Sequence, residues 1–273
     1  MAREPGSLAK RRIHSPREIV ALTAREALGG HPVNAGILGA IESANWSMDR
    51  FSRWLPARVR CSCCGHTGRR FLHVRNRLRT AWNSACPRCD SRSRHRGLSL
   101  LIPKLLAERK TKARVLHVSP EMVLRRVVEP HTAAYHTSAF AASDVTYPGE
   151  DLTHPSIAPG SYDMVLCNHV LEHIQDDAAA VAGMARILTK DGTAVVTIPG
   201  IFTRRETVQF PDDSLGGHWR DYGNDVMDLF SRFFGHVERV DLSGLDRSPD
   251  GLSHGIRRGE IAFVLSSPRT VSA

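Results

Sequence analysis

From Val115 onward, short apolar runs alternate with stretches of helical periodicity. Residues 115–118, 133–137, 164–168, 194–198, 237–240 and 261–265 read as short apolar strands. Between them, Asp176-Asp177 caps a segment that sets Val181, Met184, Ile187 and Leu188 on one face, predicting a helix over 177–188. A second helix is expected over 225–233. Strands alternating with helices argue for an α/β fold, a doubly wound and mostly parallel sheet covered on both faces.

The front of the chain has a different rhythm. Ser15-Pro16-Arg17-Glu18 is a capping box with proline at the first helical position, and Gly29-Gly30 would end the helix it starts. A second helix is expected over 35–54, with Ile37, Leu38, Ile41, Met48, Phe51 and Leu55 on its apolar side. A third is expected over 97–108, followed by a linker at 109–113. The organisation read from these shifts is a basic tail and helical extension over 1–56, a cysteine module over 57–110, and an α/β domain over 111–273.

Composition narrows the class. Apolar residues make up 41% of the 273, enough for a sizeable core. No apolar run approaches the 18 or so residues of a membrane span, so no membrane partner is expected. The basic start, Met1 to Arg12, lacks a following apolar segment, which makes the cytoplasm the expected location. No pattern in the chain sets an oligomeric state.

Five of the six cysteines fall between positions 61 and 89. Cys61 with Cys64, and Cys86 with Cys89, are C-x2-C pairs, and each lets one tight turn present two thiolates to a single ion. In a chain with no export signal, this clustering favours metal over disulfides. Soft thiolates and a closed four-ligand set point to structural Zn2+ on Cys61, Cys64, Cys86 and Cys89. Cys63 and His66 are neighbours that could substitute, but only Cys61 with Cys64 repeats the spacing of the second pair.

Charge is uneven: residues 1–110 carry a net +15 and the remainder a net −6. A basic half attracts polyanions such as RNA, or is a solvated arginine-rich surface. Arg88, Arg92, Arg94, His95 and Arg96 crowd the second cysteine pair. They could grip phosphate, or dock the module on the acidic remainder.

In doubly wound folds, ligands bind beyond the carboxyl ends of the strands where strand order reverses. That places a cofactor over the turn Val118-Ser119-Pro120-Glu121, which lacks the usual glycines. The block 161–173 reads as turn, buried strand and polar cluster. Its His169, Glu172 and His173 are metal-capable donors, but no further carboxylate or histidine follows at helical spacing, which weighs against a metal there.

Several segments together resemble the class I S-adenosylmethionine-dependent methyltransferases of the methyltransferase-11-like branch, in a subfamily with an N-terminal two-knuckle cysteine module. They are Cys61-Ser-Cys-Cys-Gly65, Cys86-Pro-Arg-Cys-Asp-Ser-Arg-Ser-Arg-His-Arg96, Leu116-His-Val-Ser-Pro-Glu121, Asn168-His-Val-Leu-Glu-His-Ile-Gln-Asp-Asp177 and His218-Trp-Arg-Asp-Tyr-Gly223. The resemblance covers about residues 57–265. It implies a seven-stranded Rossmann-like methyltransferase sheet behind a zinc-ribbon module, and S-adenosylmethionine as cofactor. The subfamily typically has Ala-Pro-Glu in its first loop, which Ser119-Pro120-Glu121 parallels. By resemblance, His117, Ser119, Pro120 and Glu121 face the methionine part of the cofactor. Asp151 and Leu152 mark the adenine side, and Asn168 and His169 line the pocket. His218 and Tyr222 lie on the acceptor side. The pattern departs at Ala139, where an acidic residue would bind the ribose hydroxyls, leaving Asp144 or Ser138 to compensate.

Methyl transfer to oxygen or nitrogen also needs a proton acceptor, and His218 or His169 is the expected base. The expected activity is methylation of an O or N acceptor on a small molecule or sugar in a biosynthetic pathway. Two alternatives stand beside it: methylation of RNA held by the basic module, and a non-catalytic binding protein with a vestigial methyltransferase fold.

Overall fold

The computed structural model describes residues 13–52, 54–75, 80–212 and 216–269. The chain forms two compact units. One comprises the described residues of Met1–Leu100 with Leu242–Glu260, and the other those of Leu101–Asp241 with Ile261–Ala273. Among the described residues, no helix is long and apolar enough to cross a membrane.

In the first unit, α1 (Pro16–Leu28) starts on the expected capping box. Ser15 Oγ accepts from the Glu18 amide, and the Glu18 carboxylate accepts from the Ser15 amide at 2.9 Å. α2 (Pro32–Ser52) begins earlier than its apolar pattern suggested. Ala35 and Ile41 are buried, but Ile37, Phe51 and Leu55 are exposed, so only part of the expected apolar side is covered. Asn45 of α2 is buried and grips the backbone of His73, donating to its carbonyl at 2.9 Å and accepting from its amide at 2.8 Å.

Two short antiparallel ribbons carry the cysteines. Val59–Arg60 pairs with Thr67–Gly68, and Leu72–Arg75 pairs with Thr80–Ala85. α3 (Ser93–Ala107) starts directly after the second cysteine pair, ahead of the Gly97 start expected for it. Leu242–Glu260, distant in sequence, is stitched to the first ribbon: Ser253 donates to the Arg58 carbonyl at 3.0 Å, and Arg60 donates to the Ser253 carbonyl at 2.9 Å.

The second unit is built on a seven-stranded sheet of β1 (Arg114–Val118), β2 (Ala134–Ala139), β3 (Tyr147–Pro148), β4 (Tyr162–Asn168), β5 (Leu188–Thr197), β6 (Phe234–Asp241) and β7 (Ile261–Pro268). Strand order is β3-β2-β1-β4-β5-β7-β6. β1 to β5 are parallel to one another, and β7 runs antiparallel between β5 and β6. The apolar runs supplied six of these strands. β3 is only two residues long and half exposed, too short for an apolar period to mark it.

α4 (Met122–Val128), α5 (Asp177–Ile187) and α6 (Val226–Phe233) lie between strands in the chain. Asp176 caps α5 by accepting from the Ala179 amide at 2.9 Å. Val181, Met184 and Ile187 of α5 are fully buried with Val165 and Cys167 of β4 and Phe263 of β7, forming one continuous core. The chain leaves β1 toward β2 and β3, then returns to β4 on the other side. The carboxyl ends of β1 and β4 therefore diverge at a topological switch point, the position where such sheets open a crevice.

Candidate functional site

A cleft of about 580 Å³ opens at that switch point. Ser119 at the tip of β1, Asp151 and Leu152 after β3, and His169 at the tip of β4, all among the expected cofactor residues, line it. The two strand tips share an uncommon backbone. Ser119 has φ 48° and His169 has φ 52°, both left-handed in residues other than glycine. Each is pinned by a backbone hydrogen bond to the adjoining strand: Ser119 N donates to the Ser138 carbonyl and His169 N to the Thr197 carbonyl, both at 2.7 Å. Left-handed turns of this kind cost on the order of 1 kcal/mol each and persist only where the surroundings over-determine them.

The remaining expected cofactor residues lie elsewhere. His117 is fully buried within β1, its Nδ1 2.5 Å from the Tyr135 hydroxyl and its Nε2 3.4 Å from Asn168 Nδ2. Asn168 is buried as well and accepts from the Thr197 hydroxyl at 3.2 Å. These two side chains brace β1 against β4 beneath the tips and do not line the cleft. Pro120 and Glu121 follow the turn into α4, Glu121 at its N-cap position, and neither lines the cleft.

Neither residue offered in place of an acid at Ala139 lines the cleft. Ala139 is buried and Asp144 is exposed. Ser138 is buried with its Oγ unpartnered. Two carboxylates, Glu150 and Asp151, line the cleft. Glu150 accepts from the Ser156 amide at 2.9 Å and its hydroxyl at 2.5 Å, which fixes its orientation. Asp151 accepts from the Thr153 amide and hydroxyl, both at 2.8 Å, and these bonds hold its carboxyl below the usual carboxylate range. Glu150 and the exposed ring of Phe140, also on the cleft wall, were missed in the sequence, because neither belongs to a periodic or spaced pattern.

On the β4 side, His169 and Glu172 form a pair. His169 Nδ1 lies 3.1 Å from Glu172 Oε1, and Glu172 is fully buried. Fixing one ring nitrogen leaves Nε2 as the free imidazole nitrogen of a cleft-lining residue. His218 does not line the cleft; its ring packs edge-on against His173, with centroids 4.8 Å apart. Tyr222 is buried and donates to Asp177 Oδ2 at 2.9 Å, a core role. Burial and the neighbouring Asp177 push its phenol up.

Arg220, also missed in the sequence, is buried and holds the loop after β4. Its guanidinium donates to the carbonyls of Leu171 at 3.3 Å, Ile174 at 2.7 Å and Gln175 at 2.5 Å.

In the first unit, the four expected sulfurs meet. Those of Cys61, Cys64, Cys86 and Cys89 all lie within 4.8 Å of one another, with Cys61 to Cys89 at 3.7 Å and Cys64 to Cys86 at 3.6 Å. All six cysteines are free of disulfides. Four thiolates about 2.3 Å from one tetrahedral ion would be about 3.8 Å apart, which the Cys61–Cys89 and Cys64–Cys86 spacings match. Cys63 donates to the His95 carbonyl at 3.4 Å.

Arg96, counted above among residues that could grip phosphate, is instead fully buried. It donates to the carbonyls of Ser84, Ser91, His254 and Gly255 and stacks 4.0 Å over the Phe71 ring. A Cβ at Gly255 would come within 2.6 Å of that ring, and the backbone there is left-handed at φ +67°.

Residues 100–196 match the family model described as a methyltransferase domain. A comparison with curated proteins finds no match. Among solved structures, the chain is similar to Burkholderia thailandensis 1,6-didemethyltoxoflavin-N1-methyltransferase, bound to 1,6-didemethyltoxoflavin and S-adenosylhomocysteine. The identity is 14%, over 65% of this chain and 79% of that one, with TM-score 0.45. The PH0226 protein of Pyrococcus horikoshii is 14% identical over 63% of this chain and 89% of that one, with TM-score 0.43. Haemonchus contortus phosphoethanolamine N-methyltransferase 2, in complex with phosphomonomethylethanolamine and S-adenosylhomocysteine, is 16% identical over 54% of this chain and 39% of that one, with TM-score 0.41.

Proposed function

We propose that this S-adenosylmethionine-dependent methyltransferase acts in the cytoplasm on an O or N acceptor of a small molecule or sugar in a biosynthetic pathway. The observation that carries the reading is the cleft between the left-handed tips of β1 and β4, within and beside the segment that matches a methyltransferase domain. A cleft of about 580 Å³ suits a nucleoside cofactor with a compact acceptor, and Phe140, Leu152, Val170 and Ile174 give it an apolar wall.

In this reading, Ser119 contacts the methionine end of the cofactor, with His117, Pro120, Glu121 and Asn168 shaping that end from behind the surface. Asp151 and Leu152 contact the nucleoside end, and Glu150 takes the ribose role that Ala139 leaves open. The bound cofactor supplies an activated methyl group. The protein aligns the acceptor, excludes water and removes a proton. His169 is assigned that proton, because it faces the cleft while its Nδ1 is held by Glu172. His218, the other expected base, lies behind His173.

Cys61, Cys64, Cys86 and Cys89 would hold a structural Zn2+, whose closed ligand set leaves no open position for chemistry. The domains are then a basic tail and helical extension over 1–56, a zinc-ribbon module over 57–110 and the methyltransferase domain over 111–273. Leu242–Glu260 folds with the cysteine unit.

RNA as acceptor is a second reading, favoured by the exposed Arg58, Arg70, Arg88 and Trp82 of the cysteine unit. Methyl transfer from labelled S-adenosylmethionine to fractionated small-molecule and RNA pools tests both. Label in the small-molecule pool, lost in His169→Ala, supports the main reading. Label in RNA, with binding that falls steeply as salt rises, replaces it with the second. Failure to bind S-adenosylhomocysteine in calorimetry would leave the vestigial, non-catalytic fold.

A further inference from the structure

One cluster of donors lies beside the cleft and is not absorbed by this reading. The ligand-capable atoms of Glu172, His173 and His218 all lie within 4.8 Å of one another. Two independent features suggest that the cluster is built to receive something. Glu172 is fully buried, and while its Oε1 faces His169 Nδ1, its Oε2 is buried with no hydrogen-bond partner. A buried carboxylate oxygen left unmatched costs several kcal/mol, and such atoms call for an ion or a ligand. His173 Nδ1 lies 2.7 Å from the Gly217 carbonyl, a contact in which only the nitrogen can donate. That bond puts the proton of the neutral ring on Nδ1 and leaves the Nε2 lone pair free. A backbone carbonyl orienting one ring nitrogen is the usual support behind a metal-ligating histidine.

We propose that Glu172, His173 and His218 bind a divalent first-row metal ion at the wall of the cleft. Two imidazoles and one carboxylate are a borderline donor set that suits Zn2+, Co2+, Ni2+ or Fe2+ over the hard ions Ca2+ and Mg2+. Three protein ligands leave coordination positions open, the arrangement of a working site rather than a structural one. Bonds of about 2.0–2.2 Å place donors within about 4.3 Å of one another, so the cluster closes with a small shift of exposed His173.

His173 belongs to both the cluster and the cleft lining, which puts the open positions within reach of a bound acceptor. Resting on the methyltransferase reading, the ion would select acceptors through an oxygen and lower the pKa of an acceptor hydroxyl. The hydroxyl proton passes to His169. The oxygen lone pair forms the O–CH3 bond as the C–S bond breaks, and that electron pair returns to sulfur.

Cobalt titration of the full-length, tag-free protein loaded with a single equivalent of zinc tests the site. Zinc outcompetes cobalt at thiolates, so the cysteine centre stays filled. The expected result is one Co2+ per chain with a visible d–d spectrum and no thiolate charge-transfer band. His218→Ala and His173→Ala should each weaken it at least tenfold, and the near-isosteric Glu172→Gln should do the same with thermal unfolding unchanged. No uptake by the wild-type protein, or uptake equal in all three variants, overturns the proposal. S-adenosylhomocysteine binding measured on the same samples separates the two readings. Nucleoside binding without cobalt binding refutes the metal site alone, and cobalt binding without nucleoside binding refutes the methyltransferase reading alone.

Discussion

Arg220 Nη1 lies 3.2 Å from Asp177 Oδ2, and the same guanidinium caps three carbonyls of the loop between β4 and α5. This pair of a buried arginine and a half-buried carboxylate ties the segment 220–222 to the loop that carries His169, Glu172 and His173. Arg220→Ala would leave Asp177 without its cation and three carbonyls without donors. We expect a loss of about 3 kcal/mol or more in denaturant unfolding. Arg220→Lys should recover only part of it, since an ammonium cannot span the carbonyls as a planar fork does.

Gly183 sits in α5 against the loop 151–153, to which the nucleoside end of the cofactor is assigned in our proposal. A Cβ there would come 1.9 Å from the Leu152 carbonyl oxygen, and that backbone cannot yield without moving Asp151 and Thr153. Gly183→Ala is therefore expected to weaken S-adenosylhomocysteine binding about tenfold or more, the effect of roughly 1.4 kcal/mol of displaced geometry. Isothermal calorimetry checks it.

The cysteine centre makes a sharper prediction about which thiol is a bystander. Elemental analysis of protein given one equivalent of zinc and then desalted should find it retained in the wild-type protein and in Cys63→Ser, whose sulfur faces the His95 carbonyl. Cys86→Ser should lose the zinc and melt at a lower temperature, because metal binding and folding of such modules are one equilibrium.

Asp151 gives the pH dependence. Its carboxyl is held below the usual range by the Thr153 amide and hydroxyl. A depressed pKa in the folded state contributes stability above the unfolded value, near pH 4, and that contribution is lost as pH falls through the folded value. In the proposed cofactor role, nucleoside affinity should persist into the same acidic window. Thr153→Val removes the hydroxyl donor at 2.8 Å and should move the acid limb of binding to higher pH, measured by calorimetry across a pH series.

Much of the second unit was legible in the sequence because its signals are local. Buried parallel strands read as short apolar runs, and α5 announces itself by its cap and its apolar face. β3 escaped because two residues carry no period. Of the site, the strand tips were placed by a general rule about switch points, so Ser119 and His169 were found. His117 and Asn168 sit in the same motifs, but alternation along each strand turns them inward, and a motif does not reveal which way a side chain faces. Glu150 and Phe140 had no spacing to mark them, and Arg220 stood in the 218–223 motif with no role assigned to it.

By itself the sequence determined the alternation of strands and helices, the two cysteine pairs and their convergence on one centre, and the turn residues at the crevice. These follow from periodicity, capping and two-residue spacings, which act over a few positions. Only the tertiary structure decided that Leu242–Glu260 joins the cysteine unit, that Arg96 is a buried brace, and that His218 comes to His173. His173 and Gly217 are 44 residues apart in the chain, and no helical spacing could link them. Such pairings depend on which loops the core closes, and the energy that closes them comes from burial spread over the whole sheet rather than from the residues that meet.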